Sequence, residues 1–205
     1  MSIGIIGSGA IGAAFARVLT RTGIEATISN SRGPESLSEL VREVGPSIKA
    51  GSREEAARAD IVFVAVNWTK LSAALAGLPE WSGRIIIDAN NPIEAPLFKP
   101  IDLKGRVSSE FVADLVPGAR VVKAFNHLRA EMLAADPRSG GGRRVLFYSG
   151  NDSAAKAEVA VHCQIKISSS SPESPLFAKR PDAAKGDRRR IGAPEAGNPS
   201  GPCQA

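Results

Sequence analysis

Two cysteines and two histidines are all that the 205 residues contain of either type. Cys163 and Cys203 fall late in the chain, with no partner in the regularly patterned part. That excludes a disulfide framework and a zinc site, and it fits a reducing, cytoplasmic setting. No metal is expected. No apolar run approaches the roughly 20 residues that a membrane-spanning helix needs. The N-terminus opens on a strand-like segment without a basic leader, so neither a membrane association nor a secretion signal is expected. Aromatic residues make up only 5% of the chain. Much of the +5 net charge sits in Arg143-Arg144 and Arg188-Arg189-Arg190, with no aromatic residues interleaved. A basic patch without stacking partners is a poor nucleic-acid platform, so no nucleic-acid partner is expected. What is plentiful is apolar: 43% hydrophobic residues suffice for one sizeable core.

The chain begins Ile3-Gly4-Ile5-Ile6-Gly7-Ser8-Gly9-Ala10-Ile11-Gly12, an apolar strand that runs into G-x-G-x-x-G and then an alanine-rich helix. The motif carries meaning in that strand–turn–helix context. Gly7 permits the tight turn, Gly9 lets backbone approach a pyrophosphate, and Gly12 lets the helix sit close to the sheet. The helix, expected over residues 10–22 and closed by Gly23, aims free N–H groups and its positive end at the phosphates. A dinucleotide is the expected ligand.

The second strand, over residues 24–29, says which one. A fold specific for NAD places Asp or Glu near this strand end to accept hydrogen bonds from the ribose hydroxyls. Here Ser29, Asn30 and Ser31 offer neutral groups, and Arg32 offers a guanidinium able to grip a phosphate. That set favours the 2′-phosphate of NADP. Gly33 and Pro34 then open the next helix.

Strands and helices continue to alternate, which predicts an α/β, Rossmann-like, doubly wound fold: a mostly parallel sheet with helices on both faces. Strands are expected over residues 47–50, 61–66, 84–88, 120–125 and 145–148. Helices are expected after Ser52, whose spacing to Glu55 forms a capping box, then over residues 69–76, 108–115 and 128–135, and again from Ser153. Ligands of open parallel sheets lie beyond the carboxyl ends of the strands. Three of those ends carry Asn67-Trp68, Asn90-Asn91-Pro92 and Asn126-His127. Their coincidence on one edge marks Asn67, Trp68, Asn90, Asn126 and His127 as candidates for contact with ribose, nicotinamide or substrate.

Gly7-Ser8-Gly9-Ala10-Ile11-Gly12, Ser29-Asn30-Ser31-Arg32, Asp88-Ala89-Asn90-Asn91-Pro92 and Val122-Lys123-Ala124-Phe125-Asn126 resemble the NADP oxidoreductases dependent on coenzyme F420. The similarity extends to the nucleotide-binding domain of the STEAP metalloreductases and covers residues 1–159. It implies that the glycine loop, Ser31 and Arg32 hold NADP. It also implies that Val66, Asn67, Ala124, Phe125 and Asn126 line the nicotinamide side, where coenzyme F420 or a flavin stacks as hydride partner. Transfer between two planar rings asks mainly for proximity, orientation and exclusion of water. The chain accordingly shows no Ser/His/Asp set or carboxylate pair, and Asn126 and His127 are expected to orient a ring without acting as obligatory acids. Two other readings stay open: a non-catalytic module that binds or senses NADP(H), and an imine or carbonyl reductase with His127 or Lys123 as its acid.

The family continues with a further helix and strand that complete the substrate side and the dimer contact. This chain departs from it. Apolar periodicity stops near Val161, and Ser168-Ser169-Ser170-Ser171-Pro172 begins a tail rich in Pro, Ser, Gly and Arg. Residues 1–162 are expected to form the NADP-binding domain. Residues 163–205 are expected to be disordered or the product of a lost reading frame, which would weaken a homodimer.

Overall fold

Isoleucine at positions 3, 5 and 6 leaves strand β1 (Ile3–Ile6) without a polar face, and the strand is buried along its whole length. Such a strand needs helices on both sides. The computed structural model describes residues 1–94, 96–137, 144–167 and 177–179, with side chains as far as residue 161. From β1 the chain enters α1 (Ala10–Arg21), then β2 (Ala26–Ser29), a 3₁₀ turn (Pro34–Leu37), α2 (Ser38–Val44) and β3 (Ile48–Ala50). After α3 (Arg53–Ala57) and β4 (Ile61–Val64) come a second 3₁₀ turn (Trp68–Lys70), α4 (Leu71–Leu75) and β5 (Ile85–Asp88). A small hairpin of β6 (Ile93–Glu94) and β7 (Lys99–Pro100) precedes α5 (Ser108–Leu115) and β8 (Arg120–Ala124). The chain continues through α6 (Ala130–Ala134), β9 (Leu146–Ser149), α7 (Ser153–Ile167) and β10 (Phe177–Lys179).

The main sheet has the order β10-β9-β8-β5-β4-β1-β2-β3. From β3 to β8 every pair is parallel; β9 runs antiparallel to β8, and β10 parallel to β9. The sheet is Rossmann-like, with β1 and β4 adjacent where the winding reverses. One face packs Ile5, Phe63, Ile87 and Val122 beneath α1, α6 and α7. The other packs Ile6, Val62, Val64 and Ile86 beneath α3, α4 and α5.

The expected elements are present; most have shorter ends, while α5 keeps its expected bounds and β9 is shifted along the chain to Leu146–Ser149. Ser52 and Glu55 close the capping box at the start of α3: Ser52 N–H donates to Glu55 Oε2 at 2.7 Å, and Glu55 N–H to Ser52 Oγ at 3.1 Å. Two features go beyond the sequence reading. The β6–β7 hairpin had no strand-like run to announce it, and α7 continues to Ile167, past the point where apolar periodicity fades. Of the tail, only Phe177–Lys179 is described, and it pairs with Leu146, Phe147 and Tyr148 of β9. Arg143, the Arg188 to Arg190 cluster and Cys203 lie outside the described residues.

Candidate functional site

β1 delivers its chain to a turn that only glycine can make. Gly7 has φ +110°, its N–H donates to the Ser29 carbonyl at 3.0 Å, and a Cβ there would lie 2.1 Å from the Ala65 carbonyl oxygen. A Cβ on Gly12 would meet the Gly7 carbonyl oxygen at 1.9 Å, so α1 packs directly against the turn. Gly9 differs, because a Cβ there would meet nothing within 4 Å. It is the N-cap of α1, supplies no side-chain cap, and is followed by no acid in the first turn. The first-turn N–H groups of Ala10, Ile11 and Gly12 therefore lack intrahelical partners and sit at the positive end of a twelve-residue helix. An open flank, free donors and no competing carboxylate fit a pyrophosphate.

At the end of β2, Asn30 organises the loop. Its Nδ2 donates to Ser8 Oγ at 3.3 Å and to Ser36 Oγ at 2.9 Å, while Oδ1 accepts the Arg32 backbone N–H at 2.8 Å. This ties the glycine loop to the turn carrying Ser31 and Arg32, both exposed. The Arg32 guanidinium has no ion pair or hydrogen bond among the described residues, and residues 29–32 include no acid; the nearest carboxylate along the chain, Glu35, lies against Gly33. Ser29 departs from the expectation that it faces a ligand. It is fully buried, and its hydroxyl donates to the Ile5 carbonyl at 3.0 Å, which joins β1 to β2.

The opposite wall is built by β4, β5 and β8. Val64, Asp88 and Lys123 stand side by side in register at the strand ends. Asp88 is fully buried, and its Oδ2 accepts from Lys123 Nζ at 2.9 Å. Lys123 Nζ also donates to the Asn90 carbonyl. Asn90 is itself only 4% exposed. Its Oδ1 accepts the Val66 N–H at 2.8 Å, and its Nδ2 donates to Asp88 Oδ1 at 2.8 Å and to the Val64 carbonyl at 3.2 Å. Asn91 and Asn126 bridge β5 to β8: Asn91 Nδ2 donates to the Asn126 carbonyl at 2.6 Å, and Asn126 Nδ2 to Asn91 Oδ1 at 3.1 Å.

Several expected ligand contacts change role here. Asn90 spends its amide on neighbouring strand ends. Trp68 is buried against Phe111, ring centroids 5.3 Å apart, in the core beneath α4 and α5. The Phe125 side chain is buried with Phe15 and Phe63 at centroid distances of 5.4 and 5.5 Å, and its φ of +65° is a strained value for a non-glycine residue. Ala124 is buried as well, so only the backbone of these two could line a ligand. Val66 is half-buried and Asn67 exposed at the rim. His127 is exposed; its Nε2 accepts the Phe147 N–H at 3.3 Å and its ring meets the edge of Phe147. No metal-binding cluster occurs among the described residues.

Sequence reasoning did not foresee the pairing of Asp88 with Lys123 or the part played by Ser36. The signal for the first was present. An acid and a base closing two neighbouring buried strands must find each other, because an unpaired buried charge is far too costly.

The family model for NADP oxidoreductase, coenzyme F420-dependent, matches residues 2–92. Among solved structures, the chain is similar to a hypothetical protein from Sinorhizobium meliloti: 46% identity, TM-score 0.77, covering 88% of this chain and 84% of that one. It is also similar to a candidate F420-dependent NADP-reductase from Arthrobacter sp. FB24, at 30% identity and TM-score 0.69, covering 82% of each. Metalloreductase STEAP3 of Rattus norvegicus is 32% identical over 147 residues, which is 71% of this chain and 28% of the metalloreductase. The chain thus spans under a third of the length of its metalloreductase relatives.

Proposed function

Because this chain belongs to the family of NADP oxidoreductases dependent on coenzyme F420, we propose that it binds NADPH at the β1/β4 switch point and reduces a planar deazaflavin or flavin-type acceptor. The observation that carries the reading is the pairing of an open, uncapped α1 N-terminus at Gly9 with an uncommitted Arg32 at the end of β2. The first suits a pyrophosphate and the second a 2′-phosphate. When bound, the cofactor supplies a hydride from C4 of its nicotinamide.

The chain's own residues then have three tasks. The Gly9 turn and the α1 amides hold the pyrophosphate, and Ser31 and Arg32 hold the adenosine phosphate. Val66, Asn67 and the Ala124 to Asn126 backbone shape the far wall and keep water from the reacting faces. All of these residues lie within 1–162, the segment to which we assign cofactor binding. Lys123 is not poised as the acid of an imine or carbonyl reductase, since its ammonium is committed to Asp88 and to the Asn90 carbonyl. That commitment favours transfer between rings over reduction of a C=N or C=O bond.

Titration calorimetry with NADPH and NADH tests the cofactor. The wild type should prefer NADPH, and Arg32→Glu should remove about tenfold to a hundredfold of NADPH affinity. A charge-assisted hydrogen bond contributes about 1.5–3 kcal/mol, and about 1.4 kcal/mol is a factor of ten. Equal affinity for both cofactors, untouched by Arg32→Glu, overturns the reading. Stopped-flow absorbance with coenzyme F420 and FMN separates an enzyme from a sensor, which would bind NADPH without oxidising it.

A further inference from the structure

We propose that the buried Asp88–Lys123 ion pair is a positioning pair for the nicotinamide end of the site, setting the rate of transfer and the mobility of the bound nicotinamide while leaving cofactor affinity nearly unchanged. This rests on the NADPH reading above. The pair joins β5 to β8 at their carboxyl ends, with side chains 0% and 11% exposed. Lys123 also holds the Asn90 carbonyl, and Asn90 in turn holds the Val66 N–H and the Val64 carbonyl of the β4 end. The next residue, Asn91, is locked to Asn126. A single charge pair thus sets the spacing of three strand ends, and the segments hung from them, Val66–Asn67 and Phe125–Asn126, form the far wall.

Two further points assign the pair to positioning. Stability alone does not call for it, since replacing a buried ion pair with well-packed hydrophobic residues of similar volume is often neutral or stabilising. It also shares no residue with the Ser8–Asn30–Ser36 network that orders the phosphate end. The two halves of the site are held separately, so a fault in one need not reach the other.

The test compares wild type, Asp88→Asn and the charge-neutral double variant Asp88→Asn/Lys123→Met, using NADPH as ligand and FMN as acceptor. Three quantities are read: NADPH Kd by calorimetry, single-turnover transfer rate by stopped flow, and the fluorescence lifetime of bound NADPH without acceptor. Expected for the double variant are a Kd within threefold of wild type, a transfer rate at least tenfold lower and a shortened lifetime, with at least as large a fall in rate for Asp88→Asn, which leaves the Lys123 charge without its carboxylate. An unchanged rate and lifetime in a folded variant overturns the proposal, as does a Kd that rises as much as the rate falls. If both variants lose cooperative melting, the pair is structural and the proposal fails. A wild type that does not bind NADPH overturns the functional reading and this inference together. A wild type that binds while its variants match it overturns this inference alone. If NADPH binds without reducing FMN, the lifetime still decides the inference.

Discussion

Asparagine at a strand end can bind a ligand or hold the protein together, and at position 90 the second use wins. Asn90 makes four hydrogen bonds through its side chain and backbone N–H, two to Asp88 at the end of its own strand and two to Val64 and Val66 at the β4 end, and exposes almost none of its surface. Trp68 shows the same division between a polar-site reading and a packing role. Buried against Phe111, it should behave as a core residue: Trp68→Ala should cost about 3–5 kcal/mol in a denaturant melt. NADPH affinity of the folded fraction should stay within a few-fold of wild type. A large affinity loss with little loss of stability would return Trp68 to the ligand. Gly12 offers the reverse case. A Cβ at that position collides with the Gly7 carbonyl, so Gly12→Ala should push the glycine turn outward and weaken NADPH binding in calorimetry.

At the scale of elements, the α3 capping box gives a direct check on local stability. Ser52→Ala removes the acceptor for the Glu55 N–H and should cost about 1 kcal/mol in chemical denaturation. Helix starts, glycine turns and the alternation of strands and helices were legible because each rests on nearby residues. So was the end of the site to which we assign the phosphates, where Gly7 to Gly12 form one short run and Ser31–Arg32 another. The far wall was legible only as a set of strand ends. A strand buried on both faces has no polar alternation to show which side chains turn inward, and so Ser29 read as a ligand donor although it points at Ile5. Trp68 meets its partner Phe111 only through the tertiary fold. The β6–β7 hairpin was illegible for another reason: two-residue strands, one ending in Pro100, leave no pattern.

For the molecule as a whole, the sheet's order explains why so many polar side chains gather at one edge. Six parallel strands from β3 to β8 put all their carboxyl ends together, and no helix among the described residues is long and apolar enough to cross a membrane. The opposite edge is fastened by Ser2 and Asp60. Ser2 N–H and Oγ–H donate to Asp60 Oδ2 at 2.7 and 3.0 Å, and these bonds, the backbone one foremost, hold the Asp60 carboxyl below its ordinary value. A carboxyl lowered by folding stabilises the native state above its unfolded pKa, and that contribution is lost as pH falls through the folded value. Melting temperature should therefore drop below about pH 4 partly through this group, and Asp60→Asn should flatten that acid limb while lowering stability near neutrality. An unchanged limb in the variant would show that other carboxyls govern acid unfolding.

Asn30 leaves one more consequence. With its amide bonded to Ser8, to Ser36 and to the Arg32 backbone, Asn30 braces through protein contacts alone the segment to which we assign discrimination between cofactors. On that assignment a dinucleotide would meet a braced scaffold, and little ordering entropy would be spent on assembling it. On that reading, choice between the two cofactors would rest on a segment whose bracing shares no residue with the network at the nicotinamide end.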